Sequence, residues 1–207
     1  MHMRRFFVYA PAIAVLLIAT SVEGPARAEE APAAEKAALD NNATTAESPK
    51  TVEALITELK RERDPEAADK IADEIMANWN RSDSPTVDLL MEWANNAIAE
   101  KRNAAALDFL DQAIVLKPEF VGAWNQRATL HFTMGQYRKA VADINHVLEL
   151  EPRHFGALAG LAAILGERGR EEMALKAWEG YLDIYPADRE AQGIVDKLSE
   201  KLAGSRT

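Results

Sequence analysis

The feature of this 207-residue sequence that most restricts its fold is a repeat with a period of 34 residues. Three prolines stand one period apart, at Pro118, Pro152 and Pro186. Columns of alanine and of large apolar residues keep the same spacing: Ala106, Ala140 and Ala174; Ala94, Ala128 and Ala162; Leu90, Trp124 and Leu158; Leu110, Ile144 and Trp178. So many matches at one offset indicate tandem copies of one structural unit.

Each unit is predicted to be a pair of antiparallel helices. From Thr51 onward the apolar residues recur at helical spacing, without strand-like alternation of useful length. The alanine columns let two helices approach closely, and the proline ends the second helix because it cannot extend it. Gly135 and Gly169 lie at the turn inside their units, where a left-handed residue ends the first helix. Asn103 is the predicted equivalent in the first unit, and the fold is predicted to be all-α.

Further helices are predicted on both sides of the three units. Ser48-Pro49, Asp64-Pro65 and Ser84-Pro85 each place a capping side chain before a proline, which predicts helices at about 50–62, 65–80 and 85–100. The alanine column extends back by one period to Ala72, so residues 50–84 are predicted to be a degenerate helix pair that caps the N-terminal end. Residues 189–203 are predicted to be a C-terminal capping helix, with Ile194, Val195, Leu198 and Leu202 on its apolar side.

Residues 87–186 resemble three tandem tetratricopeptide repeats. The middle unit matches the family's signature most fully, with Trp124, Ala128, Gly135, Tyr137, Ala140, Val147 and Pro152 in the signature places. The flanking units depart from it, with Leu90 and Leu158 for the aromatic residue and Lys101 for the turn glycine. The resemblance implies a right-handed α-solenoid of antiparallel helix pairs with units at 87–120, 121–154 and 155–188. Because the signature positions are packing positions, they indicate the fold rather than a particular function.

The N-terminal segment has the layout of an export signal. Residues 1–5 carry two arginines, residues 6–20 are nearly free of polar side chains, and Ala26-Arg27-Ala28 is a small-x-small cleavage site. This predicts a signal peptide at residues 1–28. An uncleaved anchor is the alternative, but an apolar run interrupted by Pro11 is shorter than the ~20 residues that a membrane-spanning helix needs.

Export by the general secretory route is preferred to the twin-arginine route, and it predicts a location in the periplasm of a Gram-negative bacterium. Contact with the membrane is expected only if the signal is retained. Residues 29–49 are rich in Ala, Glu and Pro with one large apolar residue, Leu39, and are predicted to be a disordered leader.

Composition and motifs argue against several classes of function. The chain has no cysteine, so it cannot form a disulfide or a thiolate metal site, and its net charge of −9 with no basic cluster argues against nucleic acid as a partner. His131, His146 and His154 lack the spacing of metal ligands, and neither a nucleophile elbow nor a phosphate-binding loop is present. The sequence therefore predicts a protein that is not an enzyme and has neither a metal nor a cofactor.

In tetratricopeptide repeat proteins, the first helices of successive units line a concave groove that holds an extended peptide or a partner helix. The positions that the resemblance implies for this groove are Met91, Asn95, Ile98, Asn125, Gln126, Thr129, Phe132, Thr133 and Ala163. Amides such as Asn95 and Gln126 each offer a donor and an acceptor to a peptide backbone, whereas Met91 and Phe132 would supply apolar contacts. The alternative is that these residues pack against the protein's own leader or a neighbouring unit.

Related repeats clamp a terminal carboxylate with lysine and arginine at set groove positions. The corresponding places here hold Met91, Gly156 and Gly160, although Asn95 fits the pattern. A clamp for the tail of a chaperone is therefore not expected.

Three further predictions concern packing. Arg127 occupies a column that holds Trp93 and Leu161 in the neighbouring units, and a charge that faces helix packing needs a partner. Asp143 on the following helix is within reach, which predicts a structural salt bridge between the two. His131 is predicted to be a packed, hydrogen-bonded residue, and the four tryptophans are predicted to lie in the core: Trp79, Trp93, Trp124 and Trp178.

Together these features predict a non-enzymatic scaffold or adaptor of the bacterial cell envelope. Its partner would be another protein, bound as a peptide segment or a helix in the groove. A self-assembling structural component of an envelope complex, and thus a homo-oligomer, is the alternative. A hydrolase or ligand-binding protein that acts on an envelope component ranks last, because no convergent polar pocket is evident in the sequence.

Overall fold

The computed structural model describes residues 50–204, and over this range the chain forms nine α-helices and no strand. The helices are α1 (Val52–Leu59), α2 (Pro65–Trp79), α3 (Pro85–Ala99), α4 (Asn103–Leu116), α5 (Val121–Thr133), α6 (Tyr137–Leu150), α7 (Phe155–Glu167), α8 (Glu171–Leu182) and α9 (Arg189–Gly204). The all-α prediction is confirmed. The predicted signal peptide (1–28), the leader (29–49) and the Ser48-Pro49 cap lie outside the described residues.

The helix starts follow the capping signals closely. Asp64 accepts a hydrogen bond from the Ala67 N–H at 2.9 Å, directly before Pro65 at the first helical position. Helix α1 is shorter than predicted and is capped by the Thr51 hydroxyl oxygen, which accepts from the Ala54 N–H. Helix α3 begins at Pro85 as predicted.

The three repeat units are the pairs α3–α4, α5–α6 and α7–α8. The alanine column lies in the core, since Ala106 and Ala140 are fully buried. Gly135 and Gly169 adopt the predicted left-handed conformation, with φ of +70° and +67°.

The prediction for Asn103 is wrong. Lys101 is the left-handed residue in the first unit, with φ of 59°, and Asn103 is the first residue of α4. Position 101 stands one full period before Gly135, so the backbone keeps the repeat geometry although the side chain there is not glycine. A residue with a Cβ is strained in this conformation.

Helices α1 and α2 share their core with the other end of the chain. Leu55, Leu59 and Ile75 are fully buried in a cluster that also contains residues of α7, α8 and α9. The sequence predicts a cap on the first unit, but the core contacts of this pair lie with the third unit and α9. Side chains from the third unit hold α2 in this place. The clearest case is His154, whose ring stacks on that of Trp79 with 4.2 Å between the ring centroids.

Polar contacts hold the same arrangement. The Tyr185 hydroxyl donates to the Asp69 carboxylate, and Arg153 forms a 2.5 Å ion pair with Glu53. At the end of α2, a Cβ on Gly122 would lie only 2.9 Å from the Trp79 carbonyl oxygen and 2.6 Å from the Phe120 ring. A residue without a side chain is therefore needed where α2 approaches α5.

Helix α9 follows Pro186 and packs on α8 as the predicted C-terminal helix. Ala191 is fully buried, and Ile194, Val195 and Leu198 pack against the same cluster as α1 and α2. The C-terminal end of the array is thereby covered by residues from both ends of the described chain.

The tryptophan prediction holds for two of the four residues. Trp79 and Trp178 are buried, whereas Trp93 is 44% exposed and Trp124 is half-buried. The Trp124 indole N–H donates to the Pro118 carbonyl oxygen at 2.8 Å, so its ring bridges the turn before α5. Trp93 lies in the first unit, whose preceding helix pair packs elsewhere.

Candidate functional site

We define the inner surface as the surface formed by α3, α5 and α7, the first helices of the three units. Of the residues predicted to line it, Met91 is buried at 8% exposure within the core of the first unit. The assignment of Met91 as a groove residue is therefore wrong, because its side chain packs between helices. Ile98 is half-buried against the same core.

The polar residues predicted for the groove come together across α3 and α5. Asn95 is exposed, whereas Asn125 and Gln126 are half-buried. The Gln126 side-chain amide donates to the side-chain oxygen Oδ1 of Asn95, which joins the first helices of two successive units. The side-chain NH₂ group of Asn95 and the side-chain oxygen of Gln126 keep their capacity to bind another chain.

Next to these amides lies a mixed apolar and hydroxyl region at the end of α5. Phe132 is half-buried, and its ring centroid lies 5.8 Å from that of Tyr137. The Thr129 and Thr133 hydroxyls donate to backbone carbonyls of their own helix, those of Asn125 and Leu130. Their oxygens remain as acceptors, so this region offers an aromatic contact beside hydrogen-bond acceptors.

The third unit is covered in part by the chain itself. The Met76 methyl group of α2 lies 3.6 Å from the position that a Cβ on Gly156 would take, and Ala159 packs against the cluster that contains α1 and α2. Ala163 is half-buried. The sequence left open whether groove residues would pack against another part of the same chain, and in the third unit they do. The open part of the inner surface is thus the stretch over α3 and α5.

An ion pair between Arg127 and Asp143 packs between the helices of the second unit, next to this stretch. The Arg127 guanidinium donates to both oxygens of Asp143, at 2.9 and 2.6 Å, which is the salt bridge that the sequence predicts. A third bond, 2.6 Å to Asp111 on α4, joins the second unit to the first. These bonds raise the pKa of Arg127, and its guanidinium also lies 4.7 Å from the centre of the Trp124 ring.

Sequence reasoning missed Asp111. A search for carboxylates on the second helix of the preceding unit would have found it, because that helix packs next to the column that contains Arg127. Arg127 donates three hydrogen bonds to these two carboxylates, and in this way it holds α4, α5 and α6 together.

The three histidines lie in separate environments. His131 is buried with Nε2 3.9 Å from Asp143, and burial lowers its pKa. His154 is almost fully buried, its Nδ1 accepts from the Ala157 N–H at 3.1 Å, and burial lowers its pKa to about 4. His146 packs its ring 4.0 Å from that of Trp124. None of these arrangements brings a histidine together with a nucleophile.

Two broader properties apply to residues 50–204. Over this range, no group of three or more histidine, cysteine or acidic side chains is placed to hold a metal ion. None of the helices in the described part combines the length and the apolar character required to cross a bilayer.

Comparison with known proteins gives the same architecture. The family model for the tetratricopeptide repeat matches residues 121–154. A TPR repeat-containing protein of Rhizobium etli is 58% identical over 178 residues, covering 86% of this chain and 87% of that protein.

Among solved structures, the first TPR domain of Spaghetti (RPAP3) bound to an HSP90 peptide superimposes with a TM-score of 0.54 at 23% identity, over 58% of this chain and 95% of that one. The Sgt2 TPR domain from Aspergillus fumigatus has a TM-score of 0.53 at 21% identity, over 59% of this chain and 83% of that one. At these identities the likeness shows the fold alone.

Proposed function

This chain belongs to the tetratricopeptide repeat family, and from that premise we propose that it is a non-enzymatic scaffold of the bacterial cell envelope. Tetratricopeptide repeats serve protein–protein interaction. The proposed partner is a segment of another protein, bound along the open stretch of the inner surface. The location in the envelope rests on the signal-like sequence of residues 1–28 and is part of the proposal.

The observation that carries the proposal is the pair of amides that spans two units. Asn95 on α3 and Gln126 on α5 are hydrogen-bonded to each other and retain a donor and an acceptor. A peptide backbone offers the same two groups at every residue, so such a pair can bind an extended segment with little dependence on its side chains. Phe132, six residues after Gln126 on α5, supplies the aromatic contact for an apolar side chain of the segment.

The chemistry of the surface distinguishes this proposal from binding of a terminal carboxylate. The solved structure of the first TPR domain of Spaghetti holds an HSP90 peptide. The family resemblance implies that repeats which clamp a terminal carboxylate carry lysine and arginine at set positions. Here Met91 is buried, and the other two corresponding places are Gly156 and Gly160. The proposed ligand is therefore an internal segment bound through its backbone.

The length of the bound segment is limited by the chain itself. Because α2 lies against Gly156 at the start of α7, the part of the inner surface that remains open extends over two units. The segment is expected to contact α3 and α5, with fewer contacts to α7.

The proposal is tested by photocrosslinking in envelope extract with residues 29–207 carrying a photoreactive residue at position 125. A crosslinked partner segment would then be synthesised and its affinity measured by calorimetry. A variant with Asn95, Asn125 and Gln126 changed to alanine should bind this segment more weakly by about 3 kcal/mol, about a hundredfold in Kd, if each amide contributes about 1 kcal/mol.

A matched control changes three exposed residues of α8 and α9, Lys176, Glu179 and Lys197, to alanine. It should bind as the parent does, and circular dichroism should show equal helicity in all three proteins. Equal affinity of the parent and the amide variant would refute the inner surface as the binding site. Cleavage after Ala28, read by N-terminal sequencing of the protein from an envelope fraction, tests the location.

A further inference from the structure

Large apolar side chains are exposed at the outer end of the first unit. Leu89 and Trp93, one turn apart on α3, are 43% and 44% exposed, and the Trp93 ring lies 5.5 Å from that of Phe109 on α4. We call the surface formed by Leu89, Trp93 and Phe109 the first-unit face. Side chains of this size and polarity are usually covered when they lie together.

The repeat register shows what covers the equivalent positions elsewhere. Leu89 corresponds to Ala123 and Ala157, which are 0% and 1% exposed. Trp93 corresponds to Arg127, which reaches back to Asp111 on the second helix of the preceding unit. The first-unit face is therefore the side on which a preceding helix pair stacks.

In this chain the preceding pair is engaged elsewhere. The apolar residues of α1 and α2 are buried in the cluster shared with α7, α8 and α9. Phe109 of the first-unit face packs against a different cluster, formed by residues of α3, α4 and α5. Within residues 50–204, the stacking position before the first unit is thus open to another molecule.

The charge pattern indicates what kind of molecule fits. The residues that flank Trp93 and Phe109 at helical spacing are uncharged: Asn96, Ala105 and Gln112. The exposed carboxylate of Glu92, three residues after Leu89 on α3, lies at the edge of the face. The chain as a whole carries a net charge of −9, so a contact between two copies is favoured at a face whose centre holds no carboxylate. If the first-unit face bound a basic helix of another protein, we would expect acidic side chains at the centre of the face.

We propose that the first-unit face binds the same face of a second copy and forms a two-fold symmetric dimer. In such a contact each residue meets its own counterpart or a neighbour, so the apolar side chains of Leu89 and Trp93 cover those of the partner. The amides of Asn96 and Gln112 are self-complementary, because each carries a donor and an acceptor. Met173, another exposed apolar residue at 55%, lies on α8 in the third unit, outside this face.

The dimer is independent of the proposed peptide site. Asn95 is two residues from Trp93 and therefore points more than half a turn away around α3. A dimer through the first-unit face leaves the amide pair of each copy accessible, so either proposal can fail without the other.

The test is the mass of residues 29–207, measured by light scattering after size exclusion and by sedimentation over a wide range of concentrations. We expect twice the formula mass for the parent. Leu89→Glu opposes two carboxylates across the two-fold axis and should give the formula mass. Asn96→Glu, at an exposed position that contributes nothing to the core, should do the same and guards against a folding defect in the first variant.

The matched control is Met173→Glu, which adds the same charge at an exposed apolar residue of α8 in the third unit, away from the face, and should remain dimeric. A parent protein that has the formula mass at every concentration would overturn the proposal. So would a dimer that persists in both Leu89→Glu and Asn96→Glu, since it would have to form through another surface.

Discussion

Protonation of His154 is expected to weaken the fold at mildly acidic pH. The side chain lies at the start of α7, where Nδ1 accepts the Ala157 N–H and the ring stacks on Trp79 of α2. A proton on Nδ1 would remove the acceptor and place a charge inside the contact between α2 and α7. Burial therefore lowers the pKa of His154 to about 4, whereas an unfolded chain has a histidine pKa of about 6.5.

The sign and size of the effect follow from these two values. Between about pH 6.5 and about pH 4 the unfolded chain takes up a proton that the folded chain does not, so the free energy of unfolding falls as the pH falls. Each unit of difference in pKa corresponds to about 1.4 kcal/mol, which gives a loss of about 3 kcal/mol that is complete below about pH 4. Above about pH 6.5 the contribution of His154 is fully present.

The assay is urea denaturation followed by circular dichroism across this pH range, for the parent and for His154→Asn. Asparagine retains an acceptor for the cap but does not titrate. The variant loses the stacking on Trp79 and starts from a lower stability, but its free energy of unfolding should fall less steeply with decreasing pH.

A direct measurement accompanies these comparisons. The imidazole resonances of His154 in an NMR titration should change only well below pH 6.5, near the value of about 4 to which burial lowers its pKa. A midpoint near about 6.5 would refute the reasoning, because it would mean that burial does not disfavour the charged form. Equal slopes for the parent and His154→Asn would refute it as well.

Two further predictions concern packing and are read from urea denaturation. Arg127→Leu should lower the free energy of unfolding by about 3 kcal/mol, because it leaves the buried Asp143 unpaired, whereas Asp111→Asn at an exposed carboxylate should cost less than about 1 kcal/mol; an unchanged midpoint in Arg127→Leu would contradict a structural role for the pair. Gly122→Ala should lower the free energy of unfolding by about 1–3 kcal/mol, because its Cβ would meet the Phe120 ring and the Trp79 carbonyl oxygen. Gly193→Ala, with open space around it in α9, should raise the free energy of unfolding by about 0.5–1 kcal/mol. Equal effects of the two glycine substitutions would show that α2 does not approach α5 closely.

Much of the candidate site follows from the sequence because the repeat register carries geometric information. A residue one period from a known position occupies the same place on its helix, so Arg127 and Asp143 could be paired without coordinates. The register also places Asn95 and Gln126 on the first helices of successive units, where the structure joins them by a hydrogen bond.

The register is less reliable for burial. The family pattern places Met91 on the inner surface, yet the side chain is buried within the core of the first unit. Trp93 shows the opposite error, since a packing column buries a residue only if a neighbouring unit covers it. Lys101 shows that backbone geometry can persist where the expected glycine is missing.

The sequence by itself determined that the chain is helical and where most of the helices begin, because these depend on local signals such as capping residues, prolines and the spacing of apolar side chains. It did not determine where α1 and α2 lie. The apolar faces of α1 and α2 could pack on any complementary surface. Their packing on α7, α8 and α9 depends on contacts between residues about 100 positions apart, such as Glu53 with Arg153 and Asp69 with Tyr185. Only the tertiary structure brings those pairs together. That packing decides which part of the inner surface stays open and leaves Leu89 and Trp93 exposed at the other end.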